Sequence, residues 1–351
     1  MRRRLAQRLS SRKAIRFPGM SAKQTSFDGG HPNLALVGDF GGTNVRLALA
    51  DISPDVPVIG QVRHFLSKEF PRAADTIAAY LKDVNGDRPS IAVIAAAGPV
   101  RDGSVNFTNL GWSLAEQELI ALGFSSVRII NDYVAAALAT LLLEDADIRQ
   151  IGPGTPDRRR NTAVMGPGTG FGASALVVED NGHAIAIAAE GGHASLPPDD
   201  DVEIEVLRYL MRGQEHVSIE RVLSGPGLRS LHEALNALEG VAEEVRDAED
   251  ITRAALQGER HSLRTLERFC AMLGGVAGNL ALTYGAQGGV YIAGGIAPNI
   301  LGVLERSDFR RRFESKGRLA AYLRPIATRV IIRADASFLG AAQAARALRR
   351  G

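Results

Sequence analysis

Residues 34–51 read Leu34-Ala-Leu-Val-Gly-Asp-Phe-Gly-Gly-Thr-Asn-Val-Arg-Leu-Ala-Leu-Ala-Asp51. Leu34 to Val37 are apolar, Gly38 to Asn44 are rich in turn residues, and Val45 to Ala50 are mostly apolar again. The pattern predicts strand, tight turn, strand. Gly38, Gly41 and Gly42 let a backbone approach a ligand closely and turn its N–H groups toward an anion. Asp39 beside them can hold a metal ion or its water shell. Thr43 adds a hydroxyl donor, and Asn44 closes the turn. Such a set suits a nucleoside triphosphate with Mg2+. It is not G-x-x-x-x-G-K-[ST], and no helical pattern follows the glycines as a dinucleotide fingerprint requires. The plain alternative is a β-hairpin whose glycines only turn the chain.

Outward from this stretch the plan repeats. Thr162-Ala-Val-Met-Gly-Pro-Gly-Thr-Gly-Phe-Gly-Ala-Ser-Ala-Leu-Val-Val178 is again apolar run, Gly/Thr turn, apolar run, with Gly168, Thr169 and Gly170 at its tip. A third glycine turn, Gly294-Gly295, follows the apolar run that begins at Gly289. Internal similarity reports architecture. Two hairpins of one plan, about a domain apart, predict two related α/β domains facing one nucleotide.

A length of 351 residues suits two domains, each able to bury its own core. Residues 1–31 carry eight Lys/Arg and one Asp, a net of +7; the remaining 33 basic and 38 acidic residues give −5. The basic character therefore belongs to the N-terminal tail, and the body offers no nucleic-acid surface. No run approaches 18 apolar residues, so no membrane-spanning helix is expected. The tail lacks the hydrophobic segment of a Sec signal. It is Arg- and Ser-rich as transit peptides are, although Met20 as the true start is the preferred reading. Residues 1–31 read as disordered. Cys270 is the single cysteine, which excludes an intramolecular disulfide and fits a reducing compartment. Its apolar helical setting predicts a buried structural thiol.

Helical patterns are expected near Ala73–Lys82, Ala135–Leu143, Asp200–Arg212, Pro226–Leu235, Ile251–Leu256, Ser262–Ala286, from Pro298, and at Leu339–Leu348. Strands are expected at Ser90–Ala97, Val127–Ile130, Ala184–Ala189, Val290–Ala293 and Val330–Ile332. Asn106 to Trp112 reads as a polar loop. Ser113-Leu-Ala-Glu116 reads as a capping box opening a helix that Gly123 ends. Residues 144–161 read as a surface connection, and Phe309–Arg318 as a solvated basic face. Asp132 follows a strand and opens a helix, so it reads either as an N-cap or as a general base. Glu190-Gly-Gly-His193 can bracket a small polar ligand, or supply only a turn acid and a structural histidine. Glu220 stands in a first helical turn, where favourable dipole interaction alone would explain it.

At this point the residues resemble a family. The stretches 36–51, AAGPV (96–100), FTNLGW (107–112), IINDY (129–133), MGPGTGFGAS (165–174), EGGH (190–193), ERVLSGPGL (220–228) and YIAGGIAP (291–298) resemble bacterial glucokinases of the non-ROK type, in the hexokinase–actin-like superfamily. The resemblance runs from Leu34 to the C-terminus. It implies two related actin-like (ribonuclease H-like) domains with an active-site cleft between them. Their expected extents are 32–142 plus 332–351 for the small domain and 143–331 for the large one.

The resemblance also implies roles. Asp39 with Gly38, Gly41, Gly42, Thr43 and Asn44 would form the first phosphate loop, with Asp39 toward Mg2+. Gly168, Thr169 and Gly170 would form the second, and Gly294-Gly295 the adenosine-side turn. Asn131 and Asp132 would hold the sugar, Asp132 as base, together with Glu190, His193, Glu220 and Asn109. ATP phosphorylating glucose at its 6-hydroxyl is the expected reaction, in a cytoplasmic homodimer. Another hexose kinase is the near alternative. A non-catalytic sugar sensor and an actin-like polymer are the remote ones: Asp132 is present, and the tail is too short for a helix-turn-helix domain. ROK kinases carry a Cys-rich zinc loop after their Gly-His pair. Here His193 is followed by Ala-Ser-Leu-Pro-Pro, so no zinc is expected.

Overall fold

The computed structural model describes residues 33–84, 88–107, 111–241 and 246–350. The basic extension and Asn109 lie outside the described residues. The chain forms two compact units: the residues up to Ile129 with Ala345–Gly351, and Ile130–Ala344.

In the first unit, β1 (Leu34–Phe40) and β2 (Asn44–Asp51) form the expected antiparallel hairpin, with Phe40 opposite Val45. Leu36, Phe40, Val45, Leu47 and Leu49 enter one core, and the alternate residues Ala35, Val37, Ala48 and Ala50 are buried too. A sheet covered on both faces reads as continuous apolar runs. β3 (Val58–Leu66) extends it, α1 (Ala73–Asp83) follows, and β4 (Ile91–Ala96) pairs in parallel with β1. Tyr80 of α1 is buried and its hydroxyl donates to Gln61 O at 2.9 Å.

At its ends, Asn106–Phe107 and Trp112, the expected polar loop is strand, while residues 108–110 lie outside the described residues. β5 (Val100–Arg101), β6 (Ser104–Phe107) and β7 (Trp112–Ala115) form a separate antiparallel sheet. Phe107 pairs with Trp112, and both are buried. Polar residues on its outer face masked the alternation. Ser113 therefore lies in β7 and caps nothing. The N-cap of α2 (Glu116–Ala121) is Ala115, whose N–H donates to Glu118 at 3.1 Å. Gly123, at φ +102°, ends the helix as expected. β8 (Ser126–Asn131) closes the order β3-β2-β1-β4-β8.

The second unit begins with α3 (Asp132–Ala139), three residues earlier than its apolar pattern suggests. The supposed surface connection holds β9 (Ile148–Gln150), which pairs antiparallel with the last strand and so joins the sheet edge. β10 (Thr162–Pro167) and β11 (Phe171–Val178) form the second hairpin, and β12 (Ala184–Ala189) is the opposite edge. Four helices follow: α4 (Asp201–Met211), α5 (Gly225–Leu238), α6 (Ala248–Leu256) and α7 (Arg260–Tyr284). Ser224 caps α5, so Pro226 sits at its second position. β13 (Gly289–Ile292) precedes the third glycine turn. Short helices α8 (Ile296–Asn299), α9 (Leu301–Leu304), α10 (Phe309–Glu314) and α11 (Ala320–Leu323) replace the single helix expected from Pro298. β14 (Thr328–Ile331) and α12 (Ala336–Arg350) end the chain.

The second sheet runs β12-β11-β10-β13-β14-β9. Apart from β9, both sheets have one plan: an antiparallel hairpin plus a third strand on one side, and a parallel partner of the first strand on the other.

The basic segment 309–318 is solvated at Arg311 and Arg318 but not at Phe309, Arg312 and Phe313. Phe309 and Phe313 are fully buried, and the backbone of α10 lies against α7 where Gly274 and Gly278 leave room. Arg312, 5% exposed, donates to Glu203, which has no exposed side-chain surface, at 2.7 and 2.8 Å and to Asp199 at 3.0 Å. Arg268 joins this network through Asp200 and Glu203. Cys270 is buried as expected, and burial pushes its thiol up to about 12.

Candidate active site

In the first unit the tip of the β1–β2 hairpin is closed by Gly41 N–H donating to Asn44 O at 3.0 Å. Gly42, Thr43 and Asn44 are exposed, and Thr43 O accepts the Ser67 N–H at 3.0 Å. Gly38 is inside β1 and buried; a side chain there would run into Ile94 and Leu47. Core packing explains that glycine. Asp39 stands opposite Arg46 across the hairpin, and Arg46 Nε donates to its carboxylate at 3.0 Å. Among the described residues no three His, Cys, Asp or Glu gather as a metal site. One carboxylate oriented by an arginine suits an ion that arrives already bound to phosphates, since Mg2+ on a nucleotide needs only one or two protein carboxylates.

The second unit is assembled around the β10–β11 hairpin. Gly41, Gly168 and Gly170 all keep ordinary backbone angles. At Gly170 the missing side chain matters because other atoms occupy its space. The Glu220 carboxylate fills the place a side chain on Gly170 would take, and its Oε2 accepts the Phe171 N–H at 2.8 Å. Gly225 N–H donates to Gly168 O at 2.8 Å, and Gly168 N–H to Gly170 O at 2.7 Å. The segment 220–225 thus grips the tip from two sides. Glu220 lies in a short 3-10 turn, Ile219–Arg221, and helix-dipole stabilisation is not its main contact.

Glu190 and His193 bracket another 3-10 turn, and both are exposed. Buried Gly192 sits against Phe171 O, where no side chain would fit. His216 Nε2 lies 2.9 Å from His193 O, and Ile219 N–H donates to Ala194 O at 2.9 Å. Glu220 and the turn between Glu190 and His193 thus both meet Phe171, the turn through Gly192.

The N-cap of α3 is Asn131, whose Oδ1 accepts the N–H groups of Tyr133 (2.8 Å) and Val134 (3.3 Å). Asp132 occupies the first helical position, with Oδ1 accepting the Tyr133 N–H at 3.0 Å. The capping alternative raised for Asp132 thus belongs to its neighbour. Tyr133 donates to Gly166 O at 2.5 Å, and its ring takes the space beside Gly172. Gly294, at φ +85°, approaches Pro167 O and the Tyr133 hydroxyl.

A groove of about 1000 Å3 opens beside this hairpin, lined in part by Thr169, Pro226, Leu228, Leu256, Ile296 and Ile300. Its size and apolar walls suit a flat base with its sugar. Except for Thr169, sequence reading missed these residues. The Ser-Gly-Pro-Gly at 224–227, a glycine-flanked helix start beside a phosphate turn, was the available signal.

A glucokinase family model matches residues 36–348. The chain belongs to the glucokinase family. A curated glucokinase of Caulobacter vibrioides is 47% identical over 321 residues, 90% of this chain and 97% of that one. The crystal structure of a glucokinase from an Antarctic psychrotroph is 37% identical with a TM-score of 0.82, over 90% of this chain and 99% of that one. A ROK family glucokinase from Streptomyces griseus, at 20% identity and a TM-score of 0.62 over 90% and 99%, shares the fold alone. This glucokinase-family chain is thus a kinase, and it lies outside the ROK type.

Proposed function

We propose that the chain transfers the γ-phosphoryl group of ATP to the 6-hydroxyl of D-glucose, with Asp132 as general base. The supporting observation is the β10–β11 hairpin: Tyr133 of α3 rests on Gly166 and Gly172, the Glu220 carboxylate holds the Phe171 N–H, and Gly192, between Glu190 and His193, lies against Phe171 O. A sugar hydroxyl must lose its proton as its oxygen attacks phosphorus, and a positioned carboxylate can accept it. Glu220 Oε2 is engaged by Phe171, which leaves Oε1 for a sugar hydroxyl. Asn131 Oδ1 is engaged by the helix, so it would meet the sugar through its amide N–H. Glu190 and His193 complete the polar set, with Asn109 as a further ligand.

The groove beside Thr169 and Ile296 would take adenosine, and backbone N–H groups at Gly42–Thr43 and Thr169–Gly170 the phosphates. Asp39, held by Arg46, would face Mg2+, which when bound supplies charge neutralisation at the phosphates. Zinc has no part in this reading. The common strand order of the two sheets supports two related actin-like domains, and the family resemblance adds an active-site cleft. Family resemblance adds a homodimer, and the single Cys270 supports a reducing, cytoplasmic setting.

The test is sugar-dependent ADP release from Mg-ATP with glucose, fructose, mannose, galactose and N-acetylglucosamine, in wild type and Asp132→Asn. Strongest turnover with glucose, lost in the variant while glucose still binds, is expected. Turnover dominated by another sugar moves the substrate and keeps the mechanism. Sugar binding without turnover refutes the kinase reading.

A further inference from the structure

The residue after the proposed base has no assigned part in the reaction, yet it joins three of the site's elements. Tyr133 lies in the first turn of α3, one position beyond Asp132. Its hydroxyl donates to Gly166 O at 2.5 Å, and a backbone hydrogen bond from Gly172 reaches the same oxygen. Gly166 and Gly172 face each other in the hairpin, one residue pair before its tip begins at Pro167–Phe171. Neither position tolerates a side chain: at Gly172 it would enter the Tyr133 ring, and at Gly166 it would strike Ala293 O. A side chain on the turn glycine Gly294 would also meet the Tyr133 hydroxyl. Burial holds this phenol well above its usual range, so it stays a donor.

A glycine pair is the softest place in a strand ladder, because it has no side chains to pack. Here an aromatic ring from the base-bearing helix fills that gap. Any shift of the first turn of α3 must therefore carry Asp132 and the Gly168–Gly170 turn together. Phosphoryl transfer depends on the spacing between base, nucleophile and phosphate, and a displacement near 1 Å can lower its rate about 100-fold.

We infer that Tyr133 is a positioning residue for the transfer step: it sets the spacing between Asp132 and the second phosphate turn. The inference rests on the reading of Asp132 as base. Tyr133→Phe removes the hydroxyl alone. Tyr80→Phe is the matched control, since Tyr80 is also an enclosed tyrosine with one backbone acceptor, in the other unit. The phosphoryl-transfer rate is measured in single turnovers, with KM for glucose and ATP, melting temperature, and amide exchange over residues 165–173.

Tyr133→Phe is expected to slow transfer about tenfold, to leave both KM values within about twofold, and to speed exchange at Gly166–Gly172. Rescue by a longer incubation with substrate is not expected. Tyr80→Phe is expected to lower the melting temperature without slowing transfer. If Asp132→Asn abolishes transfer while Tyr133→Phe is as fast as wild type, the inference alone is overturned. Equal slowing by Tyr80→Phe also overturns it. If Asp132→Asn keeps full transfer, the base reading fails and the inference with it.

Discussion

In the proposed site the Glu220 carboxylate would do two things at once: one oxygen holds the Phe171 N–H, and the other would meet a sugar hydroxyl. Glu220→Gln keeps an acceptor for Phe171 and removes the charge, whereas Glu220→Ala removes both. A hydrogen bond to a charged group contributes about 1.5–3 kcal/mol, so Glu220→Ala is expected to raise the glucose KM roughly tenfold to hundredfold. Glu220→Gln should lie between the two. Equal KM values in wild type and Glu220→Ala would remove Glu220 from the sugar site. Arg312 makes the contrasting case, remote from chemistry. Its loss would strip Glu203, which is fully buried, of its two-point partner and leave it Arg268 at 3.1 Å. Arg312→Met is expected to destabilise by about 3–5 kcal/mol in chemical denaturation, and pairing it with Glu203→Met should recover much of that loss.

Among the elements, α7 is the axis of the second unit. Fourteen of its side chains or glycines are buried, and the α10 backbone comes closest where Gly274 and Gly278 carry no side chain. Gly274→Val would push into Phe309 O. The expected loss is about 1–3 kcal/mol or more, read as a lower melting temperature with the helical signal retained. The same helix begins at Glu259, whose carboxylate accepts the N–H groups of His261 (3.0 Å) and Ser262 (2.8 Å). Hydrogen bonding from Ser262, side chain and backbone, and from His261 N–H holds it at about 2, below its ordinary 4.5. A depressed acid contributes stability above its unfolded pKa. That contribution is lost as pH falls from about 4.5 toward 2. Glu259→Ala is expected to cost about 1 kcal/mol at pH 7, and the gap to wild type should close toward pH 2. A gap that is constant with pH would deny the cap its charge.

For the whole molecule, two hydrophobic cores are built on one strand order, residues 34–129 around the first sheet and 151–330 around the second. Separate cores allow separate unfolding transitions. Asp132, Glu190, His193 and Glu220 all belong to the second unit. Glucose at 100 times its Kd is therefore expected to stabilise that unit by about 2.7 kcal/mol. Calorimetry should show its transition moving up by more than that of the first unit. A shift confined to the first unit's transition would contradict the assignment of these ligands.

Much of this was legible from residues in order along the chain. Both glycine hairpins, the third glycine turn, most helices and the buried Cys270 follow from local apolar period and turn chemistry, which neighbouring residues determine among themselves. Tertiary structure decided what is tied to what. The sequence reads Asn106–Trp112 as loop and 309–318 as solvated face because polar and basic residues fill both. Pairing of Phe107 with Trp112 made strand of the first one's ends, and ion pairing from Asp199 and Glu203 drew Arg312 of the second inside. The cap at Asn131, the grip of Glu220 on Phe171 and the seat of Tyr133 on Gly166 and Gly172 were equally hidden. Each depends on a glycine or a backbone group meeting a distant or differently oriented side chain. A one-dimensional pattern records that a glycine is present; only the folded chain shows which atoms take the space it leaves.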